Sequence, residues 1–268
     1  MNFVEIGFWN INGIFQNVGS GKVSKLTDED FLQKIYNLDI FALAETHVGS
    51  KQEICVKNFI SCSSTRRISK NGRYYGGLTV FVKSIIKPGV KIISLDDPEK
   101  IWIKLDQSFF NLDNDIFVAF VYIPPNNSPY LQKMEIDTSI MFQNVEMEVA
   151  KYNAQGKVFL LGNFNSYTNT INDFVEYDST DNDNFFHMPL DYQEDASSPR
   201  ENMDARAPND SGKMLLQLCR AASLRIVNGR VNGDKNGSFT RYPLHGGLSA
   251  EPSTIDYCLA DASCLPQI

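Results

Sequence analysis

The chain has 268 residues, of which 43% are hydrophobic and 12% aromatic, and its formal net charge at pH 7 is -7. The hydrophobic content suffices for a folded core and excludes a disordered chain, and no apolar run approaches the ~20 residues of a membrane-spanning helix. The acidic balance excludes a surface that is basic throughout, so a nucleic-acid partner would have to bind a local basic patch.

Ten segments predict β-strands, because their apolar residues recur with period two or in short β-rich runs. In chain order they are FVEIGFW (3–9), LDIFALA (38–44), LTVFVKSI (78–85), VKIISLD (90–96), KIWIKLD (100–106), IFVAFVYI (116–123), KVFLLG (157–162), LRIVNG (224–229), SFTRY (238–242) and TIDYCLA (254–260).

Three segments predict helices instead. The first is TDEDFLQKIYN, with Thr27 as the expected N-cap, the second runs from Pro129 to about Tyr152, and the third is SGKMLLQLCRAA, which begins at Ser211. Strands dominate, and the helices fall between groups of strands. We therefore expect an α/β fold with helices packed outside the sheets, and not an alternating parallel fold.

The least hydrophobic segment is 166–209, which is rich in Asp, Asn and Ser. We expect a long surface excursion and not a linker, because strands resume after it, so that residues 1–268 form a single domain. The first residues, MNFVEIGFWN, alternate like a strand and lack the features of a signal peptide. The five cysteines are scattered and lack a C-x-x-C pair, which predicts free thiols in a reducing, intracellular compartment.

Several predicted strands end in oxygen-bearing or amide side chains. The residues concerned are Asn10, Asn12, Glu45, Tyr122, Asn163, Asn165 and Asp256. Each of them alone is explained as well by a turn or a solvated strand end. Together they indicate a polar site, because strand ends on a rigid scaffold can bring such groups to one place.

Nine short motifs occur in an order that covers nearly the whole chain. They are WNING (9–13), AETH (44–47), GRYYGGLTVFVK (72–83), VYIPPN (121–126), LLGNFNS (160–166), NDSGKMLLQLC (209–219), IVNGR (226–230), GSFTR (237–241) and STIDYCLA (253–260). In these motifs the chain resembles the endonuclease/exonuclease/phosphatase superfamily, and within it the apurinic-endonuclease-like domains of LINE-type non-LTR retrotransposons.

The resemblance implies a four-layered α/β sandwich of two mainly antiparallel sheets flanked by helices. It also implies hydrolysis of a DNA phosphodiester with Mg²⁺ or Mn²⁺. The expected partners are duplex DNA and the reverse transcriptase of the same polyprotein, with synthesis in the cytoplasm and action in the nucleus.

The resemblance further implies a role for each matching residue. Asn10 and Glu45 would hold the metal, Tyr122 would contact the scissile phosphate, Asn165 would stabilise the transition state, and Asp256 would orient a histidine. The residues expected to contact phosphate or DNA are Asn12, Arg73, Thr240 and Arg241. One carboxylate with an amide oxygen is independently a reasonable donor set for magnesium, which keeps water and substrate oxygens as its other ligands.

Two departures from the family pattern predict impaired cleavage. Asn163 stands where the family has an aspartate that positions or deprotonates the attacking water, and losing a general base costs ~10²- to 10⁴-fold. The sequence also stops before the family's last strand, which carries serine, aspartate and histidine, so we expect a following segment or a partner to supply it. An inactivating substitution, natural decay and a specialised active variant all remain open as explanations of Asn163.

Basic residues in one segment, and three separate arginines at the edges of motifs, are candidates for nucleic-acid contact. The segment STRRISKNGRYYGG combines Arg66, Arg67, Lys70 and Arg73 with Tyr74 and Tyr75, although a solvated hairpin turn explains it equally well. Arg200, Arg230 and Arg241 are weaker candidates. Two alternatives to a nicking endonuclease stay open: a phosphatase or phosphodiesterase of the same superfamily, and a catalytically inactive DNA-binding module.

Overall fold

The computed structural model describes residues 3–18, 21–49, 54–66, 74–175, 195, 199–243 and 251–268. The chain forms two compact units. Unit 1 comprises Met1–Ile123 and Tyr152–Asn163, and unit 2 comprises Pro124–Lys151 and Phe164–Ile268. The prediction of a single domain over residues 1–268 stays a prediction.

The described residues form twelve strands and five α-helices. The strands are β1 (Ile6–Asn10), β2 (Phe15–Val18), β3 (Gly21–Ser24), β4 (Ile40–Ala44), β5 (Phe59–Ser64), β6 (Leu78–Lys83), β7 (Val90–Ser94), β8 (Lys100–Leu105), β9 (Ile116–Tyr122), β10 (Lys157–Asn163), β11 (Leu224–Ile226) and β12 (Asp256–Asp261). The helices are α1 (Glu29–Tyr36), α2 (Gln107–Phe110), α3 (Pro129–Met134), α4 (Thr138–Asn153) and α5 (Asp210–Ala221).

The first sheet of unit 1 has the strand order β1-β4-β6-β5. β1 runs parallel to β4, whereas β6 runs antiparallel to β4 and to β5. The sequence of β4, IFALA, is apolar at every position because both faces of this strand are buried. β2 and β3 form a separate antiparallel pair.

Four further strands of unit 1 pair in the order β10-β9-β8-β7. β9 and β10 are parallel, and the other pairs are antiparallel. A core of alternate residues joins these strands to the first sheet, and it includes Ala42, Val80, Ile103, Val118 and Phe120. Burying an aliphatic or aromatic side chain of this kind contributes roughly 1.5–3 kcal/mol, so this core stabilises the scaffold on which the strand ends are fixed.

Apolar residues also cover the outer faces of both sets of strands. On the first sheet, Phe41 and Phe81 pack in a cluster with Ile35 of α1. On the other set, Tyr152 stacks on Phe117, with ring centres 5.0 Å apart. Unit 1 therefore has sheets flanked by helical residues, as the sequence predicts.

Unit 2 contains α3, α5, most of α4 and the antiparallel pair of β11 and β12. α5 buries Leu215, Leu218 and Cys219 on one face. At its first turn a Cβ on Gly212 would lie 1.9 Å from the carbonyl oxygen of Tyr167. Glycine is therefore needed where the helix and this loop come so close.

The predicted α/β fold class, with mainly antiparallel sheets flanked by helices, is confirmed. The prediction of a strand at SFTRY is wrong, because only Arg241 pairs there, in an isolated bridge with Ser253. Sequence patterning missed β2, β3 and β5. The sequence of β5, FISCSS, has too few apolar residues to stand out, but it pairs along its length with β6.

The predicted helices exist with different starts and one interruption. Asp28, and not Thr27, caps α1, since its carboxylate accepts a hydrogen bond from the backbone N–H of Phe31. The long helix from Pro129 to Tyr152 is two helices, because Glu135 adopts a left-handed conformation that ends α3. α5 begins one residue before Ser211 and is capped by Asn209.

The segment 166–209 is not a surface excursion throughout. Thr168 and Asp173 are fully buried, and Arg200 and Asp204 are nearly so. Residues 176–194 and 196–198 of this segment lie outside the described residues. Separately, none of the described helices has the length and apolarity that crossing a membrane requires.

Candidate active site

Three polar residues of unit 1 occupy the last inward-facing positions of their strands. Side chains alternate between the faces of a strand, so residues two apart share a face. The residues two positions earlier pack in or against the core between the sheets: Phe8, Phe120 and Leu161. Asn10, Tyr122 and Asn163 therefore form a polar end to this apolar core.

Glu45 lies at the same end because of the parallel pairing of β1 and β4. Asn10 is in register with Ala44, the residue before Glu45. The Asn10 side-chain amide donates a hydrogen bond of 2.8 Å to Oε1 of Glu45. His47 Nε2 lies 3.5 Å from Oε2. The carboxylate thus has a donor group on each oxygen.

The backbone around Glu45 is held in an unusual conformation. Glu45 and His47 have φ angles of 52° and 54°, in the left-handed region that favours glycine. The carbonyl oxygens of Gly77 and Gly76 accept hydrogen bonds from the backbone N–H groups of Thr46 and His47, respectively. This conformation costs free energy in a residue other than glycine, so the surrounding contacts must offset the cost.

The carboxyl group of Glu45 is strongly acidic in this setting. Burial alone would raise its pKa, but hydrogen bonds from His47, Asn10 and Tyr122, together with the charge of His47, lower the pKa to about 2. Glu45 is therefore ionised at neutral pH and available as an anionic ligand.

Tyr122 is the third donor to Glu45. Burial raises the pKa of its phenol, and the neighbouring charge of Glu45 and the hydrogen bond to it raise the pKa further. Tyr122 therefore keeps its proton, so that its hydroxyl donates to the carboxylate.

Arg66 and Glu99 lie next to Tyr122, and their side chains are buried. Their side chains are 7% and 6% exposed and form a bidentate ion pair. The prediction that Arg66 belongs to a solvent-facing basic patch is therefore wrong, because its charge is buried and paired. Arg67, Lys70 and Arg73 lie outside the described residues.

The donor set at Glu45 fits a hard divalent cation such as magnesium. Oδ1 of Asn10 accepts one hydrogen bond, from the backbone N–H of Asn12 at 3.1 Å, which leaves a second lone pair for a cation. Within the described residues no group of three or more His, Cys, Asp and Glu side chains could hold a metal ion. Magnesium is commonly bound by one or two carboxylates with water and substrate phosphate as its other ligands.

Asn163 lies next to Tyr122 in the parallel register of β10 and β9. It is 2% exposed, and its carbonyl oxygen accepts a hydrogen bond of 2.8 Å from the backbone N–H of Ile123. A side-chain amide cannot take up a proton at neutral pH. The side chain at this position therefore cannot act as a general base.

The remaining predicted site residues belong to unit 2, where Thr240 and Asp256 meet. Oγ1 of Thr240 accepts hydrogen bonds of 3.1 Å from the backbone N–H groups of Ile255 and Asp256. The Ile255 carbonyl oxygen accepts a further bond from Phe164, the residue before Asn165. These three segments are therefore brought together within unit 2.

Asn165 is held in place by Asn209. The backbone carbonyl of Asn165 accepts a hydrogen bond of 2.9 Å from the Asn209 side chain, whose own oxygen caps α5. Asn165 has a φ angle of 48°, so it also adopts the left-handed conformation. Cap and loop thereby fix the backbone at the end of the GNFN motif.

Of the weaker arginine candidates, only Arg241 is exposed. Arg230 forms a buried ion pair with Asp173, with Nη2 to Oδ1 at 2.6 Å. Arg200 is 6% exposed and donates to Thr168 at 2.8 Å. Arg200 and Arg230 are thus buried structural groups, and their prediction as nucleic-acid contacts is wrong.

Comparison with protein-family models shows to which family the chain belongs. A model of the endonuclease/exonuclease/phosphatase family matches residues 7–266. The chain belongs to this family. A search of the curated proteins gives no significant match in sequence.

Solved structures with this fold cover nearly all of the chain at low sequence identity. The Xenopus laevis APE2 catalytic domain is 17% identical, with a TM-score of 0.61, over 98% of this chain and 84% of that one. The 3' phosphatase NExo from Neisseria, bound to a product DNA hairpin, is 15% identical with a TM-score of 0.56, over 98% and 89%. An AP endonuclease from Archaeoglobus fulgidus is 15% identical with a TM-score of 0.52, over 98% and 89%. At these identities the likeness concerns the fold alone.

Sequence reasoning placed the polar strand ends but missed three of their neighbours. His47 was noted only as part of the AETH motif, although its distance of two residues from Glu45 is a usable signal. Arg66 and Glu99 are separated by 33 positions, and no local pattern joins them.

Proposed function

We propose that this chain is the endonuclease domain of a LINE-type non-LTR retrotransposon, which nicks duplex DNA by metal-dependent hydrolysis of a phosphodiester. The observation that carries the proposal is the ionised carboxylate of Glu45, surrounded by donors from Asn10, His47 and Tyr122 at the end of a rigid core. Membership of the endonuclease/exonuclease/phosphatase family supports hydrolysis of a phosphate ester as the reaction class.

DNA is the substrate class that the relatives and motifs favour. The Neisseria 3' phosphatase is bound to a DNA hairpin, and the Archaeoglobus protein is an AP endonuclease. The motifs IVNGR and GSFTR resemble those of retrotransposon endonucleases. We further propose that the reverse transcriptase of the same polyprotein extends the nicked end, and that this step takes place in the nucleus.

In this proposal Glu45 and the amide oxygen of Asn10 hold Mg²⁺ or Mn²⁺, with Asn12 supporting Asn10 through its backbone N–H. When bound, the ion supplies charge stabilisation to the phosphoryl oxygens and the leaving group. With substrate bound, the hydroxyl of Tyr122 would turn its one proton from Glu45 to the scissile phosphate. Losing such a donor costs roughly 3 kcal/mol of transition-state stabilisation.

The roles of the unit 2 residues are proposed from the resemblance. Asn165 would donate to the phosphate in the transition state, Thr240 would line the site, and Asp256 would orient a histidine. Arg241, which is exposed, and Arg73 would contact the DNA backbone. Their contribution is expected to fall with increasing salt, since phosphate contacts release counterions.

Asn163 favours a second function, that of a DNA-binding module without cleavage. Its amide stands where the family resemblance places an aspartate, and it cannot take the proton of the attacking water. We therefore propose that cleavage by this chain is impaired by ~10²- to 10⁴-fold relative to an aspartate-bearing form.

Nicking of supercoiled plasmid in the presence of magnesium tests the proposal. Four proteins are compared: the chain, its Asn163→Asp variant, and both again with an added C-terminal strand that carries serine, aspartate and histidine. We expect the extended Asn163→Asp variant to nick fastest, and its Glu45→Gln derivative to be inactive. A matched oligonucleotide with a 3' phosphate serves as the alternative substrate.

Each outcome favours one function. Nicking by the extended Asn163→Asp variant supports the endonuclease. Release of phosphate from the oligonucleotide without nicking of the plasmid supports a phosphatase. Salt-dependent duplex binding without either reaction supports the binding module. Equal nicking by the chain and its Asn163→Asp variant would refute the role given to position 163.

A further inference from the structure

The ion pair of Arg66 and Glu99 lies beside Tyr122. Nη2 of Arg66 donates to Oε2 of Glu99 at 2.6 Å, and Nε donates to Oε1. The guanidinium carbon lies 5.5 Å from the centre of the Tyr122 ring, within the range of a cation–π contact. The backbone carbonyl of Glu99 accepts a hydrogen bond of 2.8 Å from the N–H of Tyr122.

The glycine pair of the RYYGG motif makes room for this arrangement. A Cβ on Gly76 would lie 2.5 Å from Nε of Arg66, so any side chain at this position would displace the guanidinium. The carbonyl oxygen of Gly76 also accepts a hydrogen bond of 2.9 Å from the backbone N–H of His47. One short segment therefore shapes both the space for Arg66 and the backbone beside Glu45.

Stability alone is a weak reason for such a pair. A buried ion pair contributes little net stability, because removing two charges from water costs about as much as their attraction returns. A planar guanidinium, in contrast, can hold a carboxylate through two bonds while it stacks on an aromatic ring, which lysine cannot do. The geometry is therefore suited to fixing the orientation of a ring.

We propose that Arg66 and Glu99 are positioning residues for Tyr122, and that they fix its ring so that the hydroxyl points to Glu45. The catalytic consequence rests on the proposed function, in which Tyr122 contacts the phosphate. The mechanical part does not, since it concerns only how rigidly the Tyr122 ring is held.

The mechanical part is tested by NMR relaxation on protein labelled with ¹³C in the tyrosine rings, with Tyr122 assigned by its loss in Tyr122→Phe. The test variant is Arg66→Met/Glu99→Leu, which removes both charges and keeps similar volumes. We expect the ring order parameter of Tyr122 to fall below its value in the unaltered protein, while the urea midpoint stays unchanged. Arg66→Lys keeps the charge but loses the planar guanidinium, and it should loosen the ring as well.

An unchanged order parameter in either folded variant would overturn the proposal. If the double variant does not fold, Arg66→Lys alone decides. Lys104→Met serves as a matched control, because it removes a partly buried cation of β8 that pairs with Asp115. It should leave the Tyr122 ring rigid.

The catalytic consequence is tested by nicking in the extended Asn163→Asp background. We expect Arg66→Met/Glu99→Leu to lower kcat by roughly 10- to 100-fold with KM within about twofold, as for a misplaced catalytic group. Adding Tyr122→Phe should lower kcat no further, because residues that act through one group are not additive. If Tyr122→Phe and the double variant lower kcat by factors that multiply, Arg66 and Glu99 do not act on catalysis through Tyr122. In a further outcome, the ring is loosened but Tyr122→Phe alone, in the extended Asn163→Asp background, does not change kcat. That outcome would support the positioning role and refute the phosphate contact.

Discussion

Replacing Glu45 by glutamine should make the stability of unit 1 less sensitive to acid. The pKa of Glu45 is about 2 in the folded chain, against an ordinary value of 4.5. A carboxyl group with a lowered pKa stabilises the fold above its unfolded pKa, and this contribution is lost as the pH falls toward the folded pKa. The loss therefore belongs to the window between about pH 5 and pH 2.

The size of the effect follows from the difference between the two pKa values. A difference of about 2.5 units corresponds to roughly 3 kcal/mol at neutral pH, of which roughly 2 kcal/mol is lost by pH 3. Glutamine cannot titrate. The difference in unfolding free energy between the chain and Glu45→Gln should therefore shrink by roughly 2 kcal/mol between pH 6 and pH 3.

Urea unfolding followed by tryptophan fluorescence measures this difference. Trp9 and Trp102 both belong to unit 1, so the signal reports on the unit that contains Glu45. EDTA is added to remove any metal contribution, and Glu5→Gln, at an exposed position of unit 1, is the matched control. A free-energy difference that stays constant from pH 6 to pH 3 would refute the assignment of a strongly acidic Glu45.

Three further results are expected. Glu45→Gly should be more stable than Glu45→Ala by ~1 kcal/mol in urea unfolding, because glycine adopts the left-handed conformation without cost; equal stabilities would contradict this. Asp173→Ala should cost ~3–5 kcal/mol, since it removes the carboxylate that pairs with the buried guanidinium of Arg230. Asp210→Ala, in an exposed ion pair, should cost less than ~1 kcal/mol, and similar costs for the two variants would argue against the buried network. Burial raises the pKa of the Cys219 thiol. Iodoacetamide at pH 8 should therefore label the exposed Cys55 first and Cys219 only on unfolding, as measured by mass spectrometry. Early labelling of Cys219 would contradict its burial.

Local patterning was sufficient for the strands that carry the site. The run IFALA predicts a fully buried strand, and its end places Glu45 at the edge where β1 also ends. The alternation in IFVAFVY likewise puts Tyr122 on the inward face. These predictions succeed because period and burial are properties of a few consecutive residues.

Pairing between distant residues could not be read from the sequence in the same way. Asp173 lies in a polar segment that resembles a surface loop, yet it is fully buried because Arg230, 57 positions later, pairs with it. Arg66 resembles a DNA-binding residue until Glu99 is found beside it. In each case the opposite charge comes from a distant part of the chain. The hydrophobicity of the local sequence alone therefore predicts an exposed side chain where the structure has a buried one.

The interleaving of the two units along the chain constrains how the protein is made. β10 belongs to unit 1 but is synthesised only after Pro124–Lys151, which belongs to unit 2. During translation, the partner strand of β9 therefore becomes available only once residue 163 has left the ribosome. Until then the nascent sheet presents β9 as an open edge, so chaperone capture or premature strand exchange is expected to concentrate in that interval.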